Sequence, residues 1–174
     1  MTDDQGSLAH AVCRLKSFVE NPSEGLPEEV FQFVSGITPL VNVDLLITDL
    51  EAGVLLTWRP MGNYPAGWHV PGGIIRLRES FGERIEKVAL SELSVEVACF
   101  EGPIEINQMI HPDATTRVHF ISFLFKVQIR GELDEASQWR AGDPVSGQWH
   151  WHPEWPENMY GPQSIYTKLQ IDTD

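Results

Sequence analysis

The residues best suited to chemistry lie between Gly72-Gly73 and the end of the segment that follows, which carries Glu79, Glu83 and Glu92. Paired glycines let other groups come close to the main chain, and carboxylates supply the oxygen donors that a hard divalent cation requires. If 81–93 is helical, Glu83 and Glu92 fall about half a turn apart around its axis, and Glu83 points to solvent. Glu96, four residues after Glu92, would share its face only if the helix continued past Ser94. A second candidate group is His150 and His152, which alternate along a strand over 148–152 and so share one face. Neutral imidazole near its pKa suits a general base or a metal ligand. Packing among Trp139, Trp149, Trp151 and Trp155 is the other use open to those histidines, and it is the commoner one.

Composition narrows the possible partners. Twelve Lys and Arg against 25 Asp and Glu leave a net charge of -13, and that field repels duplex nucleic acid and anionic membranes. A small anionic substrate is still compatible with it, because a divalent cation and one or two arginines reverse the potential locally. The 174 residues suit one domain, and no apolar window is long enough to span a bilayer. The acidic start Met1-Thr2-Asp3-Asp4 lacks a signal-like pattern, and Cys13 and Cys99 are too few for a disulfide framework, so a cytoplasmic setting is expected.

Positioning the glycines and carboxylates requires a strand, a turn and a helix, and the periodicity supplies them. Helices are predicted over 7–19, 27–36, 81–93 and 162–170, the third capped by Ser80. Strands are predicted over 40–47, 54–58, 74–77, 104–110, 118–129 and 148–151. Strands with helices between them, without regular βαβ alternation, indicate an α/β fold of the α+β kind.

The segment from Gly73 to Val95 resembles the Nudix box: Gly73 and Glu79 match its first half, and Lys87, Ala89, Glu92 and Val95 match or approximate its second. Val88 and Ser91 stand where the box has glutamates, and Ser94 where it has a glycine. The GDP-mannose mannosyl hydrolases, one Nudix subfamily, lack the same two glutamates and keep one helix carboxylate, at the position of Glu92. The flanks are similar as well, through Thr38 to Asp44, Leu55-Leu56 with Arg59, and Trp68, Val70, Pro71, Gly72 and Gly73 in unbroken register.

This resemblance implies a Nudix fold, a mixed β-sheet sandwiched between helices, over 38–174, with 1–37 as an N-terminal helical segment that could contact a second copy in a homodimer. It implies Mg²⁺, or Mn²⁺, held by Gly72 and Glu92, with attack at sugar C1 releasing a nucleoside diphosphate. Arg59 would stabilise the leaving group as catalytic cation, and Arg59 with Asp44 would hold substrate. Arg76 would stand in for the subfamily's arginine at Ile74, and His111 and His119 would touch substrate. Glu79 would pin the loop to the helix, with Lys87 as its partner. The subfamily's metal-binding glutamine and adjacent histidine base have no counterpart in the loop 141–147, which leaves His150 or His152 as a displaced base. Loop arginines Arg117 and Arg140 could bind phosphate, but loop arginines are frequent and neither is assigned to the site. Two alternatives remain: a nucleotide-sugar binding module without turnover, and a Nudix pyrophosphatase attacking phosphorus.

Overall fold

The computed structural model describes residues 7–62, 64–111 and 116–171. Two helices come first, α1 (Leu8–Ser17) and α2 (Glu28–Ser35). Ser7 caps α1 by accepting from the His10 N–H, and Glu28 and Glu29 place negative charge in the first turn of α2, where the helix dipole favours it. None of the residues of α1 is buried.

The period then changes to that of strands. β1 (Leu40–Leu46), β2 (Thr48–Asp49), β3 (Gly53–Arg59), β4 (Gly67–His69) and β5 (Gly72–Ile74) precede α3 (Phe81–Leu93). β6 (Glu96–Ile110), β7 (His119–Arg130) and β8 (Trp149–His152) follow it. One sheet has the order β5-β1-β7-β6, with β1 and β7 parallel and the other pairs antiparallel. The second is antiparallel, with β2 and β4 on one edge of β3 and β8 on the other. The fold is therefore α+β with a mixed sheet, as the pattern predicts. Among the described residues no helix is long and apolar enough to cross a membrane.

Several elements depart from their predicted bounds for identifiable reasons. The strand predicted over 74–77 is instead β5, which ends at Ile74, and the turn before α3 carries Arg78 at a positive φ of 63°. The strand predicted from residue 104 begins at Glu96, and its pairing with β7 shifts register around Gly102 and Pro103. β4 falls in the run before the glycines, where no strand is predicted. The predicted C-terminal α-helix is a 3₁₀ segment, Gly161–Lys168.

α3 positions the glycine strand. Ile85, Val88, Ala89 and Leu93 are buried at helical spacing against Val43, Leu45 and Phe125. A capping box fixes its start, with the Ser80 side chain accepting from the Glu83 N–H and the Glu83 carboxylate accepting from the Ser80 N–H. Ser94, at φ 58°, ends it, so Glu96 lies on β6 and not on the helix.

Glu79 ties the turn to this helix. Its carboxylate accepts from the Arg76 N–H at 2.8 Å, Arg84 Nε at 2.7 Å and Lys87 Nζ at 2.8 Å, and its side chain is 3% exposed. Burial alone raises the pKa, but the bonds from Lys87, Arg76 and Arg84 outweigh it and hold Glu79 at about 2. A carboxylate depressed in the folded state stabilises above its unfolded pKa, and that contribution is lost as pH falls through the folded value. Glu79→Gln is therefore expected to cost about 3 kcal/mol at pH 7. The loss should shrink between pH 5 and pH 2 in urea unfolding, and a loss independent of pH would contradict this account.

Candidate active site

A cavity of about 540 Å³ opens where β1, β5 and the end of β3 meet the C-terminal segment, and Asn42, Asp44, Arg59, Gly72, Tyr160 and Gln163 line it. Asp44 is fully buried on β1, directly opposite Gly72 in the β1–β5 ladder. Its carboxylate accepts from Asn42 Nδ2 at 2.6 Å, from the Tyr166 hydroxyl at 2.6 Å and from the Ser122 hydroxyl. Burial raises its pKa to about 6, opposed by the Ser122 and Tyr166 hydroxyls, the charge of Arg59 and Gln163. Gly72 has no room for a side chain, since a Cβ there would stand 2.2 Å from Asp44 Oδ1.

Glu92, the next-to-last residue of α3, reaches the same strand from the other side. Its Oε1 accepts from the Gly72 N–H at 3.2 Å and its Oε2 from the Thr57 hydroxyl at 2.9 Å. Burial raises the pKa of Glu92, opposed by Thr57, Gly72 and Arg59, and the Asp44 carboxylate raises it further. Behind it, His69 Nε2 is 3.0 Å from Thr57 Oγ1 and 3.8 Å from Glu92 Oε2. Burial and the Arg59 charge lower the His69 pKa to about 3, so the imidazole is neutral. Arg59 ends β3 with its guanidinium 5.1 Å from the Tyr160 ring centre.

The residues expected together thus divide. Asp44, Arg59, Gly72 and Glu92 converge. Arg76 lies beyond the end of β5 with its guanidinium against Gly25, and it does not line the cavity. His119 pairs with Gln108 and, by strand alternation, lies on the sheet face opposite the cavity-lining Phe120. His111 packs on Tyr64, with ring centres 4.4 Å apart. His150 and His152 lie opposite Leu56 and Val54, on the face of β3 turned away from Thr57 and Glu92, with His152 4.7 Å from Trp68 and His150 5.0 Å from Trp139 between ring centres. Burial and His150 lower the His152 pKa to about 4. Alternation along β8 did put the two histidines on one face, but that face is an aromatic cluster.

Tyr64, Tyr160 and Gln163 line the cavity without a sequence signal, because they come from loops and the 3₁₀ segment, and Arg117, noted in the sequence only as a loop arginine, lines it with them. Gln163 is the most firmly placed of them, accepting from the Val70 N–H at 2.6 Å and donating to the Val70 carbonyl at 3.1 Å.

The donor set consists of oxygens. Leu45 and Ile75 donate across the β1–β5 ladder to Pro71 and Val41, so Gly72 falls in the alternate pairs and directs its N–H and carbonyl off the free edge of β5. That carbonyl, Glu92 and Asp44 could hold one hard divalent cation. Among the described residues no three His, Cys, Asp or Glu side chains gather as a ready cage, so most of the coordination shell is left to water and ligand. Glu92→Gln is expected to weaken Mg²⁺ binding about tenfold or more, measured by titration calorimetry on the folded variant. An unchanged titration would remove Glu92 from the site.

No family model matches the chain. The low-salt glycan biosynthesis protein Agl8 of Haloferax volcanii is 35% identical over 78 residues, 45% of this chain and 49% of that protein, so the match spans about half the length of the relative. Among solved structures, a MutT NUDIX hydrolase from Burkholderia pseudomallei superposes with a TM-score of 0.57 at 18% identity, covering 75% of this chain and 97% of that one. A NUDIX hydrolase from Nitrosomonas europaea gives a TM-score of 0.44 at 21% identity, covering 54% of this chain and 61% of that one.

Proposed function

Taking the Nudix fold of this chain as the premise, we propose that it is a Mg²⁺-dependent hydrolase of a nucleoside diphosphate sugar of the GDP-mannose type, releasing the nucleoside diphosphate and the free sugar. One observation carries this reading: α3 offers a single carboxylate, Glu92, to Gly72, and Gly72 lines one cavity with Arg59 and Asp44. Attack on phosphorus uses several metal-bridging glutamates. Here Val88, at one of those box positions, is buried in the core against Gly73, where a Cβ would come within 2.8 Å of it. The glycan biosynthesis role in the name of the Haloferax relative is in keeping with a sugar nucleotide.

The chemistry asked of these residues is modest in kind. A cation held by Glu92 and the Gly72 carbonyl would neutralise charge on the diphosphate. Arg59, held over Tyr160, stabilises the negative charge that builds on the leaving diphosphate as the glycosyl bond breaks. Asp44, fixed by Asn42, Ser122 and Tyr166, presents carboxylate charge across Gly72, suited to a sugar carbon on which positive charge develops.

The second reading, a binding module without turnover, is favoured by the absence of histidine from the described cavity lining. Incubation with Mg²⁺ and a panel of nucleotide sugars in ¹⁸O water decides between them. Label in the sugar supports attack at C1, and label in phosphate supports a pyrophosphatase in its place. Binding without turnover supports the module.

The homodimer belongs to this reading too, with the exposed apolar side of α1, formed by Leu8, Val12 and Leu15, offered to a second copy. Light scattering should then give twice the 19.6 kDa chain mass. A monomer at micromolar concentration would exclude it.

A further inference from the structure

Arg117 is a cation of the cavity lining that the chemistry above does not use. It precedes β7 with a φ of 53°, the left-handed region that a bulky side chain enters only at a cost. Two contacts from α2 hold it there. Its N–H donates to Ser35 Oγ at 3.1 Å, and its guanidinium lies 5.5 Å from the Phe31 ring centre. Ser35 is itself 2% exposed, with its hydroxyl donating to the Gln32 carbonyl at 2.9 Å, so the anchor is rigid. Gln32, from the same helix, lines the cavity beside Arg117.

Those contacts fix the arginine without neutralising it. Among the described residues Arg117 makes no ion pair, whereas Arg84 and Arg140 are each paired with a glutamate. In a chain of net charge -13, an anion is drawn into a cavity only where cations are concentrated. Arg59 and Arg117 both line this one, and each is held over an aromatic ring.

We infer that Arg117, aimed by Phe31 and Ser35 of α2, is a ligand-binding residue that takes a phosphate of the nucleoside diphosphate together with Arg59. The inference rests on the proposed nucleotide-sugar reading, and it makes α2 part of the binding site, coupling the N-terminal segment to ligand affinity. The planar guanidinium matches a phosphate in a two-bond geometry that an ammonium cannot reproduce. Phe31 and Ser35 are positioning residues, acting only through Arg117.

Titration calorimetry of the full chain with GDP and, separately, inorganic pyrophosphate tests this. Arg117→Ala should weaken GDP binding about 10- to 100-fold. Arg117→Lys should recover part of the loss, and Phe31→Leu should give a smaller loss that disappears in the Arg117→Ala background. Arg140→Ala, on the exposed Glu135 pair, should change nothing. If Arg117→Ala binds GDP within twofold of the parent while Arg59→Ala does not, the inference falls and the nucleotide reading stands. If the parent binds pyrophosphate through Arg117 but no nucleotide, the inference stands and the proposed substrate falls. Phe31→Leu losing as much with Arg117 absent as with it present would overturn the positioning role.

Discussion

Successive positions of a strand face opposite ways, and at Gly72 and Gly73 neither side of β5 has room for a side chain. A Cβ on Gly72 would meet the Asp44 carboxylate at 2.2 Å, and one on Gly73 would meet Val88 of α3 at 2.8 Å. The first glycine thus lets the carboxylate on β1 lie against the strand, and the second lets the helix do so. Because both are satisfied at once, Glu92 comes near enough to accept the Gly72 N–H, and the buried Asp44 and half-buried Glu92 carboxylates share one edge of the sheet, the charge of Asp44 adding to the cost of ionising Glu92. Val88 serves this close packing, which accounts physically for an apolar residue where a carboxylate would otherwise project.

Much of that arrangement was legible. Strand, glycine pair, capped helix and Glu92 are all set by local rules, and they fall within a few residues of their predicted places. Asp44, Gly72 and Arg59 were expected at one site from the resemblance, but the direct pairing of Asp44 with Gly72 comes from the register of β1 with β5. What was missed came from elsewhere. β4 is three residues long, too short to show a period. Arg76 was assigned to a continuing strand, but β5 ends at Ile74 and the Arg76 guanidinium lies against Gly25. Nothing in the spacing marks Tyr160, Gln163 or Tyr166, which reach the site because the C-terminal 3₁₀ segment packs back on β1 and β7.

The histidines teach a related lesson. Alternation placed His150 and His152 on one face, but only the pairing of β8 with β3 decides which face that is. Leu56 and Val54 lead that face into the tryptophan cluster, whereas Thr57, between them and Arg59, leads to Glu92. The histidine that does approach Glu92, His69, was visible only as part of a tryptophan-to-glycine run, and burial keeps it neutral.

The hydrogen bond from Tyr166 to Asp44 joins residues 122 positions apart, and the Gln163 bonds to Val70 span 93. Contacts of such separation form late, after the chain between them has been ordered, because loop closure must come first. During synthesis, β1, β5 and α3 emerge and can pack before the segment that completes the cavity floor exists. Until the segment Gly161–Lys168 has been made, the Asp44 carboxyl lacks the phenol that holds it in place, so the site cannot be complete before that point.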